Sequence, residues 1–185
     1  MLGQIAVFLV DTLVTFFVVL LLLRFHFQWL RVPFQNPAGE FVLAMTSWLV
    51  MPVRRVIKGL RGYDIPTLLL AWVAQTLGLW ARFAIVGASP RVAALIAVAA
   101  VDLLRYSIYI LMVAVIVQAV MSWFRGYSPF TPVLDAMTAP FLRPFRRLIP
   151  PIGGFDLTPL VLIILLQVIV IVIERGVLPA AAAIG

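Results

Sequence analysis

The chain of 185 residues contains no cysteine and a single histidine. Without cysteine there are no disulfides, no thiolate metal sites, no thiol nucleophile and no cysteine-attached haem. A metal site at His26 would need several further ligands, and only scattered carboxylates are available. The sequence also lacks a glycine-rich phosphate loop and an acidic pair at a usable spacing, and with one histidine it offers no catalytic triad. We therefore expect no enzyme activity, no bound metal and no cofactor.

Charged residues are also scarce. They make up 11% of the chain, against roughly 25% in ordinary soluble domains, whereas 64% of the residues are hydrophobic. So few charges cannot build a water-facing surface, and the apolar content excludes a disordered chain. The 14 basic residues exceed the seven acidic ones, and the net charge is +7. Since the basic residues lie between apolar segments, they are typical of membrane topology and anionic headgroups, and we do not expect a nucleic-acid partner.

Four stretches are long and apolar enough to cross a bilayer, which takes about 20 mainly apolar residues. Asp11 is the only charged residue in the first stretch, and Arg82 closes the second. The apolar run from Val92 to Phe124 is too long for one span. We place the third helix from Arg105 onward and interpret residues 91–104 as a tilted extension or a separate interfacial helix. The four predicted spans are residues 3–23, 65–81, 105–124 and 157–173.

The sequence repeats itself at an offset of 92 residues. The segment from Pro37 to Asp64 aligns without gaps with the segment from Pro129 to Asp156. The register continues into the following spans, and an offset of 94 pairs the tryptophans before the loops. Identical pairs include Ala44/Ala136, Met45/Met137, Thr46/Thr138, Pro52/Pro144, Arg54/Arg146, Arg55/Arg147, Gly62/Gly154, Gln75/Gln167 and Trp29/Trp123. We predict two tandem repeats, residues 1–90 and 91–185, each with two spans joined by an amphipathic loop, residues 37–62 and 129–154.

The topology follows from this organisation and from the distribution of charge. Two spans per repeat is an even number, so both repeats enter the membrane from the same side, related by an axis along the membrane normal. Basic residues favour the cytoplasmic side. The two long loops hold ten of them, Arg24, Arg31, Arg54, Arg55, Lys58, Arg61, Arg125, Arg143, Arg146 and Arg147, and the opposite side holds four, Arg82, Arg91, Arg105 and Arg175. We expect cytoplasmic loops and both termini outside.

The duplicated loops resemble the signature of the bacterial YggT (YlmG) family of integral membrane proteins. The second copy matches nearly throughout: Ser128-Pro129, Thr138-Ala139-Pro140, Pro144-Phe145-Arg146-Arg147, Ile149-Pro150 and Gly154-Phe155-Asp156. The first copy departs from it at Trp48 and Lys58, where prolines are expected. The resemblance covers essentially the whole chain and implies a multi-pass protein of the cell inner (plasma) membrane without an established catalytic activity. It further implies roles in ion homeostasis, in cell division or nucleoid organisation, or in cytochrome-complex assembly.

Each loop carries the pattern of an amphipathic helix. The apolar face combines, in the first repeat, Phe41, Val42, Met45, Trp48 and Leu49, and in the second, Val133, Leu134, Met137 and Phe141. The polar face combines Glu40, Thr46 and Ser47 in the first repeat, with Asp135 and Thr138 in the second. Such a helix either lies along the headgroup boundary or packs onto the bundle. Prolines near its start cost little, because the first amide has no helical partner.

An arginine pair follows each loop helix, and an aspartate precedes each second span. Arg54 with Arg55, and Arg146 with Arg147, can bind lipid phosphates or a carboxylate of a partner; the alternative is a plain topology signal. Asp64 and Asp156 are predicted to cap the following helix, each paired with an arginine of its own repeat.

Polar side chains inside the membrane are costly and are therefore functional candidates. Gln75 and Gln167 lie 11 residues past their aspartates, about 16 Å into the membrane at 1.5 Å per residue. Interhelical hydrogen bonding is the simplest role for these glutamines and for Gln118. Asp11 should be neutral or paired, with Arg105 or Gln75 as predicted partners, and an ion or proton role is the alternative.

The sequence thus predicts an all-α integral membrane protein with four transmembrane helices in two parallel repeats. Its predicted function is a non-enzymatic scaffold or assembly factor that presents the arginine pairs to anionic lipid or to a membrane protein complex. The alternative is an ion channel or transport subunit. Since four spans scarcely enclose a pore, transport would require a homo-oligomer lined by Gln75 and Gln167, with Asp11 as a further candidate.

Overall fold

The computed structural model describes residues 1–57, 59, 62–122, 128–149 and 156–183. Throughout these residues the regular structure is helical, and six main helices follow one another: α1 Leu2–Trp29, α2 Pro37–Val56, α3 Ile65–Ile85, α4 Val92–Met121, α5 Thr131–Leu148 and α6 Thr158–Val172. A π-helical turn, Ile173–Val177, continues α6 into the short helix α7, Leu178–Ala182.

Four of the helical runs are long and apolar enough to cross a membrane: α1, α3, α4 and the run Thr158–Ala182. The prediction of four such helices is confirmed. Large apolar side chains on these runs, among them Phe8, Leu77, Leu104 and Ile164, are exposed on the outside of the bundle. A bilayer solvates such side chains, whereas water would not.

Two of the long helices extend beyond the predicted spans, past the charged residues that follow those spans in the sequence. α1 continues past Leu23 to Trp29, because buried Arg24 donates to the Thr46 hydroxyl at 2.8 Å and to the Ser47 hydroxyl at 3.2 Å. The helical run of the fourth span continues past residue 173 to Ala182, and there the exposed carboxylate of Glu174 accepts a 2.9 Å hydrogen bond from Tyr109. A charged residue that has a partner in the fold is compatible with a continuous helix.

The third span is one continuous helix. α4 runs from Val92 to Met121, so the interpretation of residues 91–104 as a separate interfacial helix is wrong. Asp102 and Arg105 lie one turn apart on the same face, with 2.9 Å between guanidinium and carboxylate. Neighbours at this spacing compensate each other's charge within the helix. The predicted end of this span at residue 124 lies outside the described residues.

The long helices pack against one another along their lengths. α1 packs along α3, and Gly78 permits the contact, since a Cβ there would lie 2.5 Å from Val14 Cγ1. α4 packs along α6, and it also contacts α1 and α3, which joins the halves. Small residues at such crossings let helix backbones approach closely.

The loop helices pack onto the bundle. α2 contacts α1 and α3, and α5 contacts α4 and α6. α2 begins at Asn36, whose side chain accepts the amide of Gly39 at 2.9 Å, with a proline at its first position. Each loop helix ends immediately after its arginine pair, so both pairs lie close to the start of the next long helix.

Candidate functional site

The first arginine of the first loop holds a buried carboxylate. Arg54 donates through Nε to Asp64 Oδ1 at 3.2 Å, a second guanidinium nitrogen contacts Oδ2, and the same nitrogen donates to Gln28 Oε1 at 2.8 Å. The hydroxyl of Thr67 also donates to Asp64. The carboxylate is 2% exposed, and the arginine side chain is 35% exposed. This cluster ties α1, α2 and α3 together at the loop side.

Asp64 does not cap the helix as predicted. It occupies the position before α3, but its side chain accepts no backbone amide. Its oxygens are already occupied by a guanidinium and by a threonine hydroxyl, which are stronger or closer partners than the free amides of the first turn. The prediction of backbone capping is therefore wrong for this residue.

The second loop repeats the contact in a more exposed setting. Arg146 Nε donates to Asp156 Oδ2 at 3.0 Å, and the side chains are 47% and 42% exposed, respectively. Asp156 Oδ1 accepts the Thr158 amide at 2.9 Å and its hydroxyl at 2.5 Å. Partial burial raises the pKa of Asp156, but the two Thr158 bonds and Arg146 outweigh it and leave that pKa below its usual value. This aspartate does bond the first amide of its helix.

The second arginine of each loop has a different environment. Arg55 and Arg147 are both exposed. Neither forms an ion pair or a side-chain hydrogen bond with any other residue that the structure describes. The two arginines of a pair therefore divide into one that holds the protein's own aspartate and one whose five donors face outward.

The predicted apolar faces of the loop helices meet the bundle only in part: Val42, Val133 and Met137 are buried as predicted, whereas Phe41 and Trp48 are exposed. Thr46 and Thr138, expected on the polar outer face, are buried. Thr46 accepts from Arg24, and Thr138 donates to Gln118 Oε1 at 2.5 Å. The bundle thus binds these threonines through polar groups of α1 and α4, while apolar side chains such as Trp48 stay exposed.

The intramembrane polar residues do not converge on one path within the chain. Gln75 is buried and donates to Asp102 Oδ2 at 2.8 Å, which links α3 to α4. Gln167 is exposed on α6. Gln118 lies close to the loop end of α4, where its Nε2 contacts Asp135 at 2.5 Å.

Asp11 has a partner other than those predicted. The structure sets it 3.8 Å from Arg82 of α3, away from Gln75 and Arg105. Sequence reasoning also missed Asp102 as a buried site residue, although its spacing of three from Arg105 was a usable signal.

A second ion pair between long helices lies at the positions that correspond to Asp11 and Arg82 in the other repeat. Arg105 of α4 lies 3.7 Å from Glu174. Position 105 is 94 residues after Asp11, and position 174 is 92 after Arg82, the two offsets at which the sequence repeats. The same helix pair therefore carries an ion pair in both halves, with the signs exchanged.

Several sequence-predicted features lie outside the described residues. These are Lys58, Arg61, Trp123, Arg125 and the Pro150 and Gly154-Phe155 part of the second motif. Within the part of the chain that the structure does describe, no three His, Cys, Asp or Glu side chains are arranged to hold a metal ion.

Comparison with known proteins agrees with the resemblance of the loops. The CCB3/YggT family model matches the chain twice, over residues 3–83 and 97–177. The uncharacterized protein YggT of Escherichia coli K12 is 37% identical over 164 residues, covering 88% of this chain and 85% of that protein. An uncharacterized protein of Vibrio alginolyticus is 32% identical over 163 residues, covering 86% and 88%, respectively. One of Pseudomonas aeruginosa is 29% identical over 168 residues, covering 89% and 85%. No solved structure shows a significant match.

The chain has four helices that could span a membrane, an Arg–Asp contact in each of its two loops and a family match over most of its length. It therefore belongs to the CCB3/YggT family.

Proposed function

We propose that the protein is a non-enzymatic membrane scaffold that binds anionic lipid headgroups through Arg55 and Arg147. The single observation that carries the proposal is that the two arginines of each pair have different environments. Arg54 and Arg146 are held by aspartates of their own repeat, while the neighbouring guanidinium is exposed in both loops. A topology signal alone requires positive charge on one side of the membrane. It does not require that one arginine contacts an aspartate and the next is exposed in both loops.

The position of these arginines suits a phosphate ligand. Each lies in the last turn of a loop helix, next to an arginine that contacts the aspartate before a long apolar helix, and the start of that helix is at headgroup depth when it spans the bilayer. Guanidinium groups bind phosphate oxygens through two parallel hydrogen bonds. The fixed aspartate contact next to each exposed arginine holds the end of the loop helix and so reduces the entropy that binding must overcome.

The proposal includes a tandem, parallel arrangement with both loops on the cytoplasmic side of the inner membrane. Support comes from the two matches to the family model and from contacts that recur at the repeat offsets, such as Arg54–Asp64 and Arg146–Asp156. The excess of basic residues in the loops supports the cytoplasmic orientation.

The transport hypothesis has weaker support. Gln75 is bonded to Asp102 in the bundle, Gln167 is exposed on another helix, and Asp11 contacts Arg82. These residues share no common lumen within one copy of the described chain. Ion flux from reconstituted vesicles, lost on Gln75→Leu, would favour transport over the scaffold.

The experiment compares lipid selectivity in two double variants with the same loss of charge. Arg55→Gln/Arg147→Gln removes the proposed site, and Arg91→Gln/Arg175→Gln removes two exposed arginines from the other end of the bundle. Association of spin-labelled phosphatidylglycerol, relative to phosphatidylcholine, is measured in reconstituted membranes. At about 1 kcal/mol per base, the first variant should lose up to roughly 30-fold in summed selectivity, and the second should lose little. Equal losses would reduce the arginines to general surface charge and overturn the proposal.

Topology is tested separately. The chain has no cysteine, so single cysteines at positions 55 and 147 report accessibility without a background. Both should react with an impermeant maleimide only from the cytoplasmic side. Labelling from opposite sides would exclude the parallel arrangement.

A further inference from the structure

A groove of about 670 Å³ lies between the two halves of the protein. Its walls are α1 and α4, and the start of α2 and of α5 closes it at the loop side. The groove is separate from the exposed arginines, which lie at the opposite ends of those loop helices.

The lining of the groove is nearly the same in both halves. α1 contributes residues whose counterparts 94 positions later, on α4, line it as well. The pairs are Thr15/Tyr109, Val19/Val113, Leu20/Ala114, Leu23/Val117 and Phe27/Met121. α2 and α5 contribute Val42 and Leu134, which are 92 positions apart. The groove therefore lies on the axis that relates the repeats, and it is a product of the duplication rather than an irregular gap.

The length of the groove corresponds to one leaflet of a bilayer. From Thr15 to Phe27 is twelve residues, as is Tyr109 to Met121, and each run covers about 18 Å at 1.5 Å per residue. Half of a hydrocarbon core about 30 Å thick is about 15 Å. The lined part of each helix ends at its loop end, so the groove lies in the leaflet next to the loops.

The chemistry and size of the groove select its occupant. None of the described residues that line it is charged, so a headgroup finds no counter-charge among them, and an extended peptide would leave its amides without partners. A helix of about 10 Å diameter needs about 120 Å³ per residue, or about 1,400 Å³ over the twelve residues that the groove spans. That is about twice the volume of the groove, which is therefore too narrow for a partner's transmembrane helix, whereas a hydrocarbon chain needs neither a wide slot nor polar contacts.

We propose that this groove binds the acyl chain of a phospholipid from the loop-side leaflet, so that a structural lipid joins the two repeats. Along the groove, α1 and α4 would otherwise face each other across a gap. Side chains that line an empty gap have no atoms opposite them and so lose dispersion contacts. The acyl chain supplies those contacts.

The test uses photo-crosslinking in vesicles of phosphatidylethanolamine and phosphatidylglycerol doped with a phospholipid that carries a diazirine on its acyl chain. Peptide mass spectrometry locates the adducts. We expect adducts on groove residues of α1 and α4 at several times the level found on outward-facing residues. Val19→Phe/Val113→Phe fills the groove and should reduce the groove adducts several-fold. Val168→Phe, the same substitution on the exposed face of α6, should leave them unchanged.

The other outcomes would overturn the proposal. Equal labelling of groove and outer faces would mean ordinary boundary lipid. A Val113→Cys variant that forms disulfide-linked dimers would mean that a second copy fills the groove. Circular dichroism of the filled variant checks that it folds, and if it does not, the adduct pattern of the unaltered protein decides alone. Arg55→Gln/Arg147→Gln should keep the groove adducts, so a failure of the headgroup proposal is distinguishable from a failure of this one.

Discussion

The same substitution, aspartate to asparagine, should change the free energy of unfolding by different amounts at the two Arg–Asp contacts. Asp64→Asn and Asp156→Asn each replace a carboxylate by a neutral group of nearly the same shape, at equivalent positions of the two loops. The bonding partners are equivalent as well, Arg54 and Arg146. The main difference is burial, since Asp64 is almost inaccessible and Asp156 is nearly half exposed. Asp156 also accepts the Thr158 amide, a bond that the Oδ1 atom of an asparagine can keep. The comparison therefore tests mainly the effect of burial on an ion pair.

The expected magnitudes follow from that difference. Removing one partner of a buried ion pair costs about 3–5 kcal/mol, because the remaining charge is left without compensation. Arg54 is one-third exposed and keeps its bond to Gln28, so we expect the lower end, about 3 kcal/mol, for Asp64→Asn. An exposed pair contributes about 0.2–1 kcal/mol, which sets the expectation for Asp156→Asn. The gap of about 2 kcal/mol corresponds to roughly 30-fold in the unfolding equilibrium constant.

The assay is reversible unfolding in mixed micelles with increasing dodecyl sulfate, followed by far-ultraviolet circular dichroism. A double-mutant cycle with Arg54→Gln separates the pair energy from the loss of the Thr67 bond. Losses in the unfolding free energy that agree within about 0.5 kcal/mol for the two Asn variants, or a larger loss for Asp156→Asn, would refute the reasoning from burial.

Two further predictions concern helix packing and pH. Gly78→Ala should destabilise the protein by about 1–3 kcal/mol, because the new Cβ collides with Val14, whereas Gly3→Ala, with open space around it, should leave the thermal midpoint unchanged. Since the pKa of Asp156 is lowered in the folded protein, its contribution is present above the unfolded pKa and is lost as the pH falls through the folded pKa. The thermal midpoint should fall over that acidic range less steeply in Asp156→Asn than in the unaltered protein, and identical pH profiles would contradict the assigned contacts.

The organisation of the chain was readable because the bilayer imposes strong constraints on a sequence. Runs of about 20 apolar residues identified four spans, and the gapless offset of 92 identified the duplicated loop motif. The boundaries were less certain. The predicted spans stop at residues 23 and 173, since the charges that follow, Arg24 and Glu174, are costly in lipid, but both residues have partners in the fold. Local pattern carries no information about partners that lie twenty or sixty residues away.

The candidate site, too, could be predicted from the sequence only in part. The sequence determined which residue types recur and at what spacing: an arginine pair, an aspartate ten residues on, and an apolar span. It could not distinguish Arg54 from Arg55, since adjacent residues on a helix point about 100° apart and only the fold decides which one meets the aspartate. Nor could it reveal that Asp64 is buried and Asp156 exposed. The burial of each aspartate depends on the side chains around it, and these differ between the two equivalent positions.

The sequence by itself thus determined the four apolar helices, the internal offset and the side of the membrane favoured by charge, because hydropathy and charge act through local composition. Only the tertiary structure decided which polar groups meet and where the two halves leave a groove. Hydrogen bonds and packing depend on distances of a few ångströms between segments that are remote in the chain, and a repeated sequence can meet different neighbours in each of its copies.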